Sequence, residues 1–102
     1  MNQHCGLAER DYFFIQETLS KLLKHKDKLE IKVFGSRARG DYKKYSDLDL
    51  WLDAVPAITR DELLNLQEAF ADSDLAIQVD IVTPENVLAQ YEEQIKKDLV
   101  QF

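Results

Sequence analysis

Three aspartates have the spacing expected of a metal site carried by neighbouring strands. Asp47 and Asp49 are separated by one residue in a segment that alternates aspartate with apolar residues, and Asp80 lies between Val79 and Ile81. Alternate side chains of a strand point to opposite faces, so Asp47 and Asp49 share a face and lie roughly 7 Å apart. Three carboxylates on one face repel each other unless a cation neutralises them. This pattern favours a divalent-metal site over the alternative of three separate surface acids.

A Gly-Ser pair lies where a predicted strand gives way to a short helix. Gly35 and Ser36 follow an apolar alternating segment, and the short helix that they open ends at Gly40. Helix N-termini present free N–H groups, and a glycine allows a phosphate to approach the backbone closely. Ser36 adds a hydroxyl, and Arg37 or Arg39 could add positive charge. The alternative is an ordinary strand-to-helix turn in which Ser36 is the N-cap.

The spacing of apolar residues predicts four helices and three strands. The period is three to four in the helices and two in the strands. A capping box, Thr59 to Glu62, opens the third helix, and Thr83 followed by Pro84 predicts the start of the last one. The predicted helices are at about 8–25, at 37–39 with Ser36 as N-cap, after Thr59 and after Thr83, and the predicted strands are at 30–34, 47–53 and 77–82.

This order of elements predicts one small α/β (α+β) domain over residues 1–102. We expect a three-stranded mixed sheet with helices packed on one side. Strand parity places Leu48, Leu50 and Leu52 in the core beneath the helices. The same parity places Trp51 on the face of the aspartates, where it could stack a base, contact a partner or be covered by a loop.

Composition limits the classes of function. The 102 residues carry 13 Lys+Arg and 19 Asp+Glu, a net charge of −6. This balance argues against direct binding of the nucleic-acid backbone, which needs clustered positive charge. No apolar run is long enough to span a membrane, and the start of the sequence lacks the features of a signal peptide. We therefore expect a cytoplasmic protein, whose one cysteine, Cys5, forms no internal disulfide.

Taken together, the motifs resemble a known family of enzymes. The pattern of these residues resembles that of the nucleotidyltransferase superfamily. It consists of Gly35-Ser36, ten residues, Asp47, one residue, Asp49, and a later Asp80 on another predicted strand. That superfamily shares a palm-like fold with polymerase β and with the enzymes that adenylylate aminoglycosides. The runs at 35–40 and 46–50 resemble the minimal nucleotidyltransferases in particular, and the resemblance extends from about residue 8 to the end of the chain.

The resemblance implies a role for each motif residue. Asp47 and Asp49 are expected to hold two Mg²⁺ ions, and Asp80 to complete the ion nearer the acceptor and help deprotonate its hydroxyl. Gly35 and Ser36 are expected to hold the β- and γ-phosphates of ATP. Arg39 is a candidate contact for the leaving pyrophosphate.

The resemblance also implies a partner. Minimal nucleotidyltransferases are similar to the antitoxin half of bacterial toxin–antitoxin pairs, whose partner is a HEPN-domain ribonuclease. In such a pair the transferase attaches AMP from ATP to a tyrosine of the toxin and disables it. Two alternatives remain: a catalytically silent binding module that occludes its partner, and transfer to a small hydroxylated molecule such as an aminoglycoside.

Overall fold

The computed structural model describes residues 3–102, which form a four-stranded mixed sheet with helices on both faces. The spatial order of the strands is β3-β2-β1-β4, where β1 is antiparallel to β2 and β4, and β2 is parallel to β3. The strands are β1 (Lys28–Phe34), β2 (Leu48–Val55), β3 (Val79–Val82) and β4 (Val100–Gln101). The α/β class and the mixed sheet are confirmed, but the predicted count of three strands is wrong. The additional strand, β4, has two residues, which is too short to show an alternating pattern.

Four α-helices follow the predicted order, although their bounds differ from the predicted ones. They are α1 (Glu9–Leu22), α2 (Ser36–Arg39), α3 (Arg60–Ala71) and α4 (Ala89–Asp98), preceded by a short 3₁₀ segment, Gln3–Gly6. Among residues 3–102, no helix combines the length and the apolar character needed to cross a membrane.

The main core lies between the sheet and the pair α1 and α3. Leu48, Leu50 and Leu52 are fully buried there, together with Ile15 of α1 and Leu66 of α3. The strand parity predicted from the sequence is therefore confirmed on β2. Because the three leucines use one face of β2, the acidic residues between them are left on the other face.

Helix α4 lies on this second face, so the prediction that all helices pack on one side is wrong. Tyr91 and Ile95 of α4 line a cavity together with Phe34 of β1, Asp49 of β2 and Val82 of β3. Asp49 pairs in register with Phe34 on one side and with Asp80 on the other, which places these side chains on one sheet face. This second face is thus partly covered, and Trp51 on it is 5% exposed.

Capping interactions explain where the two later helices begin. The predicted capping box of α3 is confirmed, because the backbone N–H of Glu62 donates to Thr59 Oγ1 and the N–H of Thr59 donates to Glu62 Oε1. The predicted start of the last helix at Pro84 is wrong. The N–H of Thr83 donates to Asn86 Oδ1 over 2.8 Å and closes a turn, so that α4 begins at Ala89.

Candidate active site

The structure brings Asp49 and Asp80 together on the second face of the sheet. They are direct register partners on the parallel strands β2 and β3, which run about 4.8 Å apart in a sheet. Asp47 lies one residue before β2, exposed to solvent. Asp49 and Asp80, which are far apart in sequence, therefore lie side by side near the N-terminal ends of two neighbouring strands, and Asp47 immediately precedes one of these strands.

Burial and like charge act together on Asp49. Partial burial, which is the largest cause, and the negative charges of Asp80 and Asp47 together raise its pKa from 3.8 to about 6, against the opposing charge of the Arg39 guanidinium. A cation placed among these groups would remove the unfavourable charge interactions. The site has the electrostatic character of a cation-binding site.

The donor set suits Mg²⁺, which takes oxygen ligands and retains several waters. Within residues 3–102, no three His, Cys, Asp or Glu side chains already converge on the position of a single ion. The carboxylates of Asp47, Asp49 and Asp80 thus form an open acidic face, on which substrate oxygens and water would supply further ligands. Oxygen ligands of this kind fit the metal that the family implies.

Gly35 lies directly against this acidic face. It has φ +75° and ψ −155°, a conformation that is essentially restricted to glycine. A Cβ at this position would collide with the Asp49 carboxylate. Gly35, and not the predicted Ser36, is the N-cap of α2, and Ser36 is the first residue of the helix. The Asp49 carboxylate therefore lies directly against the Gly35 backbone, and a side chain at residue 35 would displace it.

Arg39 is held at the edge of the site by two acidic side chains. Its Nη1 donates to Asp98 Oδ2 over 2.9 Å, and its Nε lies 3.4 Å from Asp41 Oδ2. Both interactions raise the pKa of Arg39. Arg39 also lines the cavity that contains Gly35 and Asp49. Its charge therefore lies close to Asp49, and its guanidinium is also bonded to Asp98 of α4.

Arg37 has a structural role that the sequence did not reveal. It is 3% exposed and donates hydrogen bonds to the carbonyl oxygens of Cys5, Ser46 and Lys44 over 2.9, 3.1 and 3.3 Å. Its guanidinium also lies 5.0 Å from the ring centroid of Tyr42. Arg37 thereby fixes the loop that leads into Asp47. No spacing rule distinguishes such an arginine from an exposed one on a four-residue helix.

Comparison with known proteins agrees with this geometry. The family described as polymerase beta nucleotidyltransferase matches residues 17–100. The chain therefore belongs to the polymerase β nucleotidyltransferase family and is a nucleotidyltransferase. This confirms the resemblance that the Gly-Ser pair and the aspartates suggested.

The most similar relatives include small proteins of the same kind. Two come from Methanocaldococcus jannaschii, and both are assigned as protein adenylyltransferases. The first is 35% identical over 82 residues, covering 78% of this chain and 83% of the relative. The second is 33% identical over 91 residues, covering 84% of this chain and 92% of the relative. The protein assigned as adenylyltransferase MntA in Haemophilus influenzae is 40% identical over 68 residues, covering 64% of this chain and 57% of the relative.

Solved structures show the same architecture. A protein described as a minimal nucleotidyltransferase superimposes with a TM-score of 0.67 and 28% identity, covering 92% of this chain and 94% of the other. A nucleotidyltransferase from Sulfolobus solfataricus superimposes with a TM-score of 0.52 and 19% identity, covering all of this chain and 88% of the other, and supports the fold alone.

Proposed function

We propose that this protein transfers AMP from ATP to a hydroxyl group of another protein, in a reaction that depends on Mg²⁺. The observation that carries the proposal is the register pairing of Asp49 with Asp80, with the Asp49 carboxylate packed against the Gly35 backbone. A phosphate chain that lies along Gly35 and Ser36 would reach carboxylates able to hold metal ions. The relatives assigned as protein adenylyltransferases support a protein as the acceptor.

Each residue of the site has a defined task in this proposal. Asp47, Asp49 and Asp80 would hold two Mg²⁺ ions, which when bound neutralise charge on the triphosphate and on the attacking and leaving oxygens. Gly35 and Ser36 hold the β- and γ-phosphates through the backbone and the Ser36 hydroxyl. Arg39 supplies positive charge at the pyrophosphate end.

The transfer forms one bond and breaks another. The acceptor hydroxyl oxygen bonds to the α-phosphorus, and the bond from that phosphorus to the oxygen bridging the α- and β-phosphates breaks. Pyrophosphate leaves with the bonding electrons, and the hydroxyl proton passes to the Asp80 carboxylate. The enzyme has little covalent chemistry to perform, so positioning and charge neutralisation account for the rate.

We propose that the acceptor is a tyrosine of a HEPN-domain ribonuclease toxin, for which this protein is the antitoxin. The net charge of −6 complements the basic surface expected of a protein that cuts RNA. Because ATP and such a ribonuclease meet in the cytoplasm, the reaction takes place there.

Intact-mass spectrometry of the partner tests the proposal. A HEPN-domain ribonuclease incubated with this protein, ATP and Mg²⁺ should gain the mass of one or more AMP units, and fragmentation should locate them on tyrosine. The Asp47→Asn variant should give no gain, whereas Asp53→Asn, a change farther along the same strand face, should behave as wild type. A stable complex with no mass gain would overturn the proposal in favour of a binding module.

A further inference from the structure

The loop of residues 41–46, which leads into Asp47, is connected to the short N-terminal 3₁₀ segment. Arg37 makes the first connection. Its guanidinium donates one hydrogen bond to the carbonyl oxygen of Cys5, in the N-terminal segment, and two to carbonyl oxygens of the loop, one of which is that of Ser46. A buried arginine therefore joins the N-terminal segment to the residue immediately before Asp47.

Tyr42 makes a second connection between the same two parts of the chain. Its ring packs against the backbone of Gly6, where an added Cβ atom would collide with the ring. The Arg37 guanidinium carbon lies 5.0 Å from the centroid of the same ring, which is within cation–π distance. Tyr42 therefore contacts both Gly6 and Arg37, and its position requires that residue 6 has no side chain.

The N-terminal segment has a backbone conformation that its surroundings must maintain. His4 and Cys5 have φ of 55° and 54°, in the left-handed region that residues other than glycine rarely adopt. Such conformations persist only where the surrounding contacts fix them. The His4 ring stacks on Tyr12 with the centroids 3.8 Å apart, and Cys5 is buried. The segment is therefore a fixed support against which the loop can rest.

Asp47 needs such support more than the other two carboxylates of the site do. Asp49 and Asp80 lie within paired strands, whose hydrogen bonds fix their backbones. Asp47 precedes β2 and is exposed, so its position depends on the loop before it. Residues of a metal site have to be held within about 0.5 Å of their productive positions.

We infer that Tyr42 is a positioning residue for Asp47, and that the N-terminal segment acts through Tyr42 and Arg37 to set the affinity of the site for divalent metal. The inference rests on the proposed function, which assigns Asp47 to the metal ions. It concerns a feature outside the family motif, because the residues matched to the family begin at residue 17. Groups that orient a metal ligand typically contribute about 10- to 100-fold to metal affinity.

Mn²⁺ binding to the full chain, measured by electron paramagnetic resonance, tests the inference. Mn²⁺ is the probe because it takes the same oxygen ligands as Mg²⁺. Gly6→Ala should weaken Mn²⁺ binding by about 10- to 100-fold, since the added methyl group displaces the Tyr42 ring. Gly40→Ala is the matched control and should retain the affinity. Gly40 also has a positive φ, but no atom lies near its Cβ position.

Substitutions within the loop provide a second, independent measurement. Tyr42→Ala should weaken Mn²⁺ binding as Gly6→Ala does, and Tyr42→Phe should retain the affinity because the ring is kept. Tyr45→Ala removes an exposed aromatic side chain of the same loop and should also retain it. Each protein is measured at a temperature at which circular dichroism shows it to be folded, so that a loss of stability alone does not change the result.

Three outcomes would contradict the inference. Unchanged Mn²⁺ affinity in folded Tyr42→Ala would overturn it and restrict Tyr42 to packing, whether or not Gly6→Ala folds. An equal loss in Gly6→Ala and Gly40→Ala would overturn it as well, because the loss would then come from backbone strain. Wild-type protein that binds no Mn²⁺ would refute the metal sites of the proposed function together with the inference, which distinguishes this failure from the other two.

Discussion

Gly35 and Asp49 are packed so closely that the space for a side chain on residue 35 is already filled by the Asp49 carboxylate. Gly35 directly follows β1 and is the N-cap of α2, and Asp49 is the second residue of β2, which pairs with β1. The turn assigned to phosphate and the carboxylate assigned to metal are therefore in contact through the packing of two adjacent strands.

Gly35→Ala should abolish transfer and destabilise the fold. The added methyl group displaces the Asp49 carboxylate, and the backbone conformation at residue 35 is unfavourable for alanine by about 1–3 kcal/mol. Gly40→Ala is the matched control, because Gly40 also has a positive φ, of 90°, but no atom lies near its Cβ position. Urea denaturation and partner modification should show that both variants lose stability and that Gly40→Ala keeps transfer. Retained transfer in Gly35→Ala would refute the proposed contact.

The raised pKa of Asp49 predicts how stability depends on pH without divalent metal. The folded protein holds a proton on Asp49 up to about pH 6, whereas the unfolded chain releases it near 3.8. Raising the pH across this window therefore favours unfolding, and stability should fall from about pH 4 to pH 6 before levelling. Urea denaturation in EDTA should show this decline in wild type and a smaller one in Asp49→Asn. Identical profiles would count against the raised pKa.

Asp47→Asn should reduce transfer by at least about 100-fold without lowering stability. Asp47 is exposed and adds negative charge beside Asp49, so its neutralisation relieves repulsion in the metal-free protein. Thermal denaturation in EDTA and the transfer assay should be measured on one preparation, with Asp53→Asn as control. A markedly less stable Asp47→Asn protein would mean that this acid supports the fold and not a metal.

The alternation of residues in β2 was sufficient to predict its core face and the acidic face opposite. The spacing of Gly35-Ser36 from Asp47 and Asp49 was sufficient to predict the family. The start of α4 was mispredicted because Thr83 followed by Pro84 is typical of a helix start. In the structure the N–H of Thr83 donates to the Asn86 side chain and these residues form a turn. The position of α4 over the second sheet face could not be predicted from periodicity. Tyr91 is exposed and Ile95 is buried, but both fit the same apolar helix face in the sequence pattern.

Arg37→Met should cost about 2–4 kcal/mol of stability, because three backbone carbonyls lose their donor. It should also weaken Mn²⁺ binding, because the loop that precedes Asp47 is no longer held. Chemical denaturation and Mn²⁺ electron paramagnetic resonance give the two readouts. Arg10→Met, whose side chain is 83% exposed, should change neither. Unaltered Mn²⁺ affinity in a destabilised Arg37→Met protein would restrict Arg37 to a purely structural role.

Glu62→Gln should lower stability at pH 7 by about 1–2 kcal/mol. Glu62 Oε1 accepts hydrogen bonds from Lys26 Nζ at 2.8 Å and from the N–H of Thr59 at 2.9 Å. These bonds lower the Glu62 pKa from 4.5 to about 2, so the stabilisation is present above pH 4.5 and is lost as the pH falls toward 2.

The difference between wild type and Glu62→Gln should therefore be smaller at pH 3 than at pH 7 in urea denaturation. Glu92→Gln removes a more exposed ion pair with Lys96 and should have little effect at either pH. A difference that does not change with pH would mean that the charge of Glu62 contributes nothing.

Strand β3 is an edge of the sheet, and its sequence is Val-Asp-Ile-Val. With an apolar residue in place of Asp80 it would be an unbroken apolar segment with one side free to pair with another chain, the kind of sequence that promotes aggregation. The carboxylate assigned to catalysis is also the charge that interrupts this segment. Asp80 therefore also places a charge in the exposed edge of the sheet, which disfavours pairing of that edge with another chain.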